Sequence, residues 1–204
     1  MAFIPPPDRI PILLRLGLWV TRHVAGMDLL LPRLLAWYPR AAVSSAVLEA
    51  LIAHHEGRLD ERLLKLVRLT VSFTASCPFC MDMNAAGWQK FITPAELAAL
   101  QGRIALEDIP TFTLPERLAV AYARLVSATP LSFPADFIAQ LQRTFTEREI
   151  VILAVTAAQV NYWARLIQAL GCPPPGFSSD VIALSALFLP PSELPSSPAK
   201  PKPS

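Results

Sequence analysis

Glycine is scarce in this 204-residue chain, at seven residues, which excludes a collagen-like repeat. Charge is also scarce. Asp, Glu, Lys and Arg make up 17% and the formal net charge is +2, so there is no electrostatic case for nucleic acid as a main partner. Three cysteines are too few for a disulfide-dense secreted framework. Strand signals are lacking: there is no sustained apolar–polar alternation and no Asn-Gly or Asp-Gly turn. No run reaches the roughly 18 uncharged apolar residues of a spanning helix. Arg15, Arg22, Asp28 and Arg33 interrupt the N-terminal runs, and the uncharged stretch at 150–164 contains Gln159 and Asn161 before Arg165 ends it. That stretch reads as a buried helix, so no membrane span is expected. The first eight residues hold three successive prolines and no basic segment, so no secretory leader is expected either. There is no Gly-rich phosphate loop and no HExxH, so the expected cofactor complement is none, metal included. The expected location is cytoplasmic, where thiols stay reduced unless they do redox chemistry.

What the chain has is apolar mass. Hydrophobic residues make up 53%, too many for a disordered polar chain and enough for one sizeable core. They recur at helical spacing between proline breaks. Helices are predicted over residues 10–25, 28–37, 41–55, about 60–74, 77–90, from 93, 114–128, 134–145 and 147–170. Asp60 is a candidate N-cap. Thr93-Pro94-Ala95-Glu96 and Thr146 with Glu149 read as capping boxes. The expected organisation is an N-terminal helical arm at 1–40, an all-α domain at 41–175, and a C-terminal segment at 176–204. Within that last part, 181–189 is an apolar docking segment and 190–204 a proline-rich disordered tail. Residues 65–72 (KLVRLTVS) echo 149–156 (EIVILAVT). In that register Cys77 falls opposite Asn161, which would fit a duplicated helical unit.

The chemistry-bearing stretch is Thr74-Ala-Ser-Cys77-Pro-Phe-Cys80-Met-Asp-Met-Asn84. Two cysteines three apart on one helical turn lie on the same side and can close a small disulfide loop. Pro78 is tolerated only in a first turn, which puts Cys77 at a helix N-terminus with Ser76 as a possible cap. Free N–H groups and the helix dipole stabilise a thiolate there. A thiolate attacks a peroxide or disulfide, and a second thiol resolves the intermediate. Position favours Cys77 as attacker, whereas exposure would decide between the two. Two alternatives stand beside this reading. One is a pair of ordinary core cysteines. The other is a zinc site, whose further ligands would have to come from His54, His55 and Cys172. A thioredoxin-type fold is disfavoured because the βαβ pattern is missing.

The segment Leu66-Val-Arg-Leu-Thr-Val-Ser-Phe-Thr-Ala-Ser-Cys-Pro-Phe-Cys-Met-Asp-Met-Asn84 resembles the core of the carboxymuconolactone decarboxylase / AhpD-like family. The likeness continues in Gly57-Arg-Leu-Asp60, Thr146-Glu-Arg-Glu-Ile-Val151 and Asn161-Tyr-Trp-Ala-Arg165, and covers roughly residues 45–170. It implies an all-α fold, homo-oligomers and, in the AhpD branch, thiol-dependent hydroperoxide reduction. AhpD-type enzymes carry a Glu twelve residues before the first Cys and a His four after the second, a pair thought to relay protons. Here those positions hold Lys65 and Asn84. Lys65 favours a thiolate if it points at the pair. Asn84 can hydrogen-bond but not titrate. The decarboxylase branch generally lacks the cysteine pair, so Cys77 and Cys80 point away from lactone decarboxylation.

The expected function is therefore a thiol-dependent redox enzyme reducing a small hydroperoxide or disulfide, regenerated by an external thiol reductant. The alternatives are a non-catalytic member of the same fold, a small-molecule lyase or isomerase, or a binding protein. His54 or His55 is a candidate substitute base, or else a helix C-terminal pair. Asp82 is expected at the surface or as a cap, Glu149 in a capping box, and Asn161 in a structural polar contact near the cysteine helix. Cys172 is expected to be a loop thiol. The four tryptophans are expected as core or interface anchors. The basic N-terminal helix is expected to pack on the core or a partner subunit, with a membrane surface as the alternative.

Overall fold

Threonine, aspartate and proline punctuation sets where the helices start. The computed structural model describes residues 2–50 and 57–178. Its α-helices are α1 (Ile12–Ala25), α2 (Leu30–Leu35), α3 (Pro39–Ala50), α4 (Glu61–Thr74), α5 (Pro78–Ala85), α6 (Pro94–Leu100), α7 (Leu114–Ser127), α8 (Ala135–Thr144) and α9 (Glu147–Ala169), with 3-10 turns at Trp88–Lys90 and Leu106–Asp108. Among the described residues there is no β-strand, so the chain is all-α. Asp60 caps α4 by accepting the Leu63 N–H at 2.7 Å. Thr93, Thr113 and Thr146 form full capping boxes with Glu96, Glu116 and Glu149.

The centre is α4 against α7 and α9, with α5 leaning on α4 and α9. Leu63, Val67, Val71, Ala119, Leu153 and Ala157 interlock between these helices. A second cluster, around Leu66, Leu69, Trp88, Leu97 and Val120, joins α4 to α6 and α7. Helix α9 is long and apolar enough to cross a membrane by length and composition, but Leu153, Ala157, Val160, Ala164 and Ile167 are buried against its neighbours. It is the core helix that the uncharged run suggested.

Several boundaries differ from the sequence expectation. The second helix is one and a half turns, Leu30–Leu35, not 28–37. The helix expected over 77–90 stops at Ala85: Ala86 leaves helical geometry with ψ 121°, Gly87 has φ +64°, and a single 3-10 turn follows. Lys65 explains part of this break, since its Nζ takes the Ala86 carbonyl at 2.8 Å. The third helix is described to Ala50; His54, His55, the apolar segment 181–189 and the tail 190–204 lie outside the described residues. Helix α1 buries no residue at all, so its expected packing on the core is limited to half-buried Leu14, Leu18, Thr21 and Ala25. Trp88 is a core anchor, whereas Trp19 and Trp37 are exposed.

Candidate active site

Two helix ends build the site. At the end of α4, Ser76 adopts a left-handed conformation, φ +47°. Its N–H reaches the Phe73 carbonyl at 3.0 Å and the Cys77 N–H reaches Ser72 at 3.2 Å. This is a Schellman stop with Ser where glycine is usual. Cys77 is thus the third residue past α4 and at once the N-cap of α5, with Pro78 in the first turn. The expected cap, Ser76, is spent on the stop, and the cap is the cysteine itself: Cys77 Sγ accepts the Cys80 N–H at 3.2 Å.

Helix α9 ends the same way. Gly171 has φ +65°, its N–H reaches Gln168 at 3.0 Å, and the Cys172 N–H reaches Ile167 at 3.1 Å. The structural counterpart of Cys77 is therefore Cys172, not Asn161 as the sequence echo suggested. The echoed stretches do pack together as α4 and α9, but α4 breaks at Ser76 while α9 runs on past Asn161.

Cys77 and Cys80 form a disulfide with Cα atoms 5.2 Å apart. They are 0% and 3% exposed, and share a cluster with Leu31, Phe79, Ala164 and Ile167. Trp163, Leu170 and Cys172 pack against that cluster. Cys172 is the expected free loop thiol, placed at the edge of this cluster; burial pushes its pKa up, which favours the neutral thiol. Gln168 Nε2 ties α9 to the turn by donating to the Ala75 carbonyl at 3.2 Å. The N-terminal arm crosses this end of α9. The Phe3 N–H donates to Leu170 O at 3.0 Å, and the Phe3 ring lies where a side chain on Gly171 would have to go.

Lys65 and Asn84, at the positions where the resemblance expects a Glu–His relay, do not supply one. Burial and the nearby Arg68 charge push the Lys65 pKa down, but its ammonium is committed to Ala86 O and lies 5.8 Å from the Phe91 ring centre. Asn84 Nδ2 donates to Ser72 Oγ at 3.0 Å, and Ser72 Oγ donates to Arg68 O at 2.8 Å. Neither Asn84 nor Ser72 titrates in the working range.

Asp82 is not at the surface. It is fully buried on α5, and its carboxylate accepts the N–H groups of Gly176, Phe177 (2.8 Å) and Ser178. It therefore clamps the segment after α9 onto the cysteine helix. Asn161 does not reach that helix; it donates to Ser127 Oγ on α7 and to Ala157 O, both at 3.0 Å. Glu149 completes its capping box and also accepts the Arg58 N–H at 2.8 Å. Burial would raise its pKa, but the N–H groups of Arg58 and Thr146 hold it below the usual range. Sequence reasoning missed Glu49 on α3, whose Oε2 accepts Trp163 Nε1 at 2.9 Å and Gln159 Nε2 at 3.2 Å. No spacing could have found it, because the two ends of that contact are over a hundred residues apart.

Chemically, the site is a dithiol/disulfide couple in an apolar cluster, with one sulfur receiving an amide N–H. No family model matches the chain. An Escherichia coli K12 protein, the uncharacterized YnjA, is 26% identical over 183 residues, covering 85% of this chain and 94% of its own. Among solved structures, an alkylhydroperoxidase AhpD core, an uncharacterized peroxidase-related protein from Ralstonia eutropha JMP134, matches with a TM-score of 0.70 at 16% identity, over 90% of this chain and 95% of that one. This chain has the AhpD-like fold. The debrominase Bmp8, solved in complex with 2,3,4-tribromopyrrole, matches with a TM-score of 0.73 at 16% identity, over 89% and 96% of the two chains.

Proposed function

We propose that this AhpD-like chain is a thiol-dependent oxidoreductase in which Cys77 and Cys80 cycle between dithiol and disulfide while reducing a small hydroperoxide or disulfide. The observation that carries the reading is the pair itself: two cysteines on the first turn of α5, already joined, with Cys80 N–H on Cys77 Sγ. An N–H at a helix start stabilises a thiolate. With a hydroperoxide, the thiolate attacks the terminal oxygen, the O–O bond breaks, and the alkoxide leaves and takes up a proton as the alcohol. The sulfenic acid that remains is attacked by the second thiol, water leaves, and the S–S bond forms. Two electrons pass from the dithiol to the peroxide. An external dithiol supplies them back by exchange.

Homo-oligomers and a cytoplasmic setting belong to this proposal. Supporting the first, Val43 and Val47 on α3 and Val151 and Val155 on α9 are large apolar residues left in solvent.

The test is stopped-flow oxidation of the reduced full chain by an alkyl hydroperoxide. One peroxide should consume both thiols, and Cys77→Ser and Cys80→Ser should each lower turnover at least about a hundredfold. The variant that still forms a sulfenic acid identifies the other cysteine as the resolver. Turnover unchanged in Cys80→Ser sinks the proposal.

A second reading is favoured by the likeness to the debrominase and by the apolar lining of the pair. In it the dithiol reduces a bromoarene to the arene, forming the disulfide and releasing HBr. Bromide release from a bromopyrrole, absent in both serine variants, distinguishes it.

A further inference from the structure

Helix α1 presents three different faces. Leu14, Leu18, Thr21 and Ala25 are half-buried against the protein. Ile12, Leu13, Leu16, Trp19, Val20 and Val24 point outward and are exposed. Between these faces, Arg15 and Arg22 lie two turns apart on one flank, the spacing that stacks side chains along a helix. Arg15 and Arg22 line a cleft of about 690 Å³ together with Arg9 from the segment before α1, and Asp28 and Arg33 from the turn into α2 and from α2 itself.

The charges in this cleft do not balance. Asp28 is taken by Arg33, at 3.5 Å. The side chains of Arg9, Arg15 and Arg22 make no hydrogen bond or ion pair with any described residue, and Asp8 is the other acid present. Four arginines against two aspartates leave a net +2. Helix α1 carries no carboxylate in its sequence. The volume is within the range of small-ligand sites, roughly 300–1,000 Å³. Unlike the apolar majority of such sites, this one is walled mainly by guanidinium groups, with Ile10 and Leu18 as small apolar patches. Guanidinium forks match phosphate oxygens two at a time, and a phosphate monoester carries about −1.5 to −2 at neutral pH.

We propose that this cleft is a binding site for the dianionic phosphate group of a phosphate ester, separate from the cysteine pair, with Arg15 and Arg22 as the paired clamp and Arg9 closing over it. A singly charged carboxylate leaves the surplus half-compensated, so the dianion is the better complement. The phosphate can belong to a soluble ester or to a lipid headgroup, since the outward apolar stripe of α1 lies beside the cleft.

The experiment uses the oxidised full chain and two probes. Inorganic phosphate is titrated calorimetrically at low ionic strength, with chloride at matched ionic strength as the control. Sedimentation with vesicles containing phosphatidic acid, whose headgroup is a phosphate monoester, is compared with phosphatidylcholine vesicles. Binding of phosphate in solution without vesicle binding assigns a soluble ester; binding to phosphatidic acid and not phosphatidylcholine assigns a headgroup. Either supports the site, provided the doubly substituted Arg15→Gln/Arg22→Gln chain loses about tenfold or more in affinity. These side chains hold nothing in the fold, so the variant should melt like the parent and keep its cysteine reactivity. Arg9→Gln, tested alone, should weaken binding less. No binding of either probe, chloride competing as well as phosphate, or affinity unchanged in the double variant overturns the proposal.

Discussion

At its N-terminal end α4 holds Arg62 between two buried carboxylates; at its C-terminal end, about 20 Å away, it delivers Cys77 into a buried cluster with Leu31, Phe79, Ala164 and Ile167. The first end is charged and fully engaged. Arg62 Nε donates to Glu116 at 2.6 Å, Nη2 to Glu96 at 2.7 Å, and Nη1 to the Phe91 carbonyl. Both glutamates are also capping-box residues, for α6 and α7, so one guanidinium fixes the starts of two helices. At the second end the buried charge of Asp82 is spent on backbone N–H groups, and the sulfurs themselves are weak hydrogen-bonding groups. Labour is divided along one helix. Ionic contacts that need every partner in place hold the first end, whereas the Cys77 and Cys80 sulfurs rest on each other and on one weak N–H···S bond.

The sharpest way to break this contrast is Arg62→Ala. It leaves two buried carboxylates without their cation, which is destabilising by about 3–5 kcal/mol. Urea denaturation reads it, and the rate at which the native dithiol reacts with a disulfide reagent should not change. A loss below about 1 kcal/mol would mean that the Arg62 end is no more structural than an exposed ion pair.

Acid probes the same end. Burial would raise the Glu96 pKa, but the Arg62 hydrogen bond, the Thr93 N–H and the Thr111 hydroxyl hold it down at about 2. Because the folded value lies below the ordinary value of 4.5, this stabilisation is complete above 4.5. It is lost as the pH falls from there toward 2. The expected loss approaches about 3 kcal/mol. Stability measured from pH 6 down to 2 should show that loss, and Glu96→Gln should flatten it.

Next in size is Asp82→Ala, at the cysteine end. It removes the acceptor for three N–H groups at Gly176, Phe177 and Ser178, each a bond to a charged group. We expect a loss of about 2 kcal/mol. Amide exchange at those three residues should accelerate, with protection in α4 and α7 kept. If protection falls throughout the core, Asp82 belongs to the scaffold and the contrast between the two ends is less sharp.

Much of this was legible in the sequence because its signals are local. Threonine–glutamate spacing marked the starts of α6 and α9, and Pro78 marked the start of α5. The Cys-x-x-Cys pair placed the sulfurs within bonding reach. What was not legible depends on distant partners or on an unusual residue in a standard role. Asp82 looks like a surface acid until the chain returns ninety-four residues later to donate to it. Ser76 does not advertise a helix stop, since the left-handed position is usually glycine, as it is at Gly171. The sequence echo aligned the right two helices but set Cys77 against Asn161. The shared Schellman stop pairs Cys77 with Cys172, which brings the third cysteine to the edge of the pair's own cluster.

The smallest effect is expected at Asn84, and it separates scaffold from proton path most finely. Ser72 Oγ spends its hydrogen on Arg68 O and uses a lone pair to accept from Asn84. Asn84→Ala therefore leaves the serine still bonded and should lower stability by about 1 kcal/mol or less. Peroxide turnover should keep the pH profile of the parent between about 5 and 8, because an amide has no proton to exchange there. Asn84→His should behave differently: it adds a group that titrates near 6.5, and an inflection near that pH should enter the profile. If Asn84→Ala itself removes an inflection present in the parent, the Asn84–Ser72 contact is part of the proton path, and the cysteine end of α4 is more strongly coupled to its surroundings than its sparse contacts suggest.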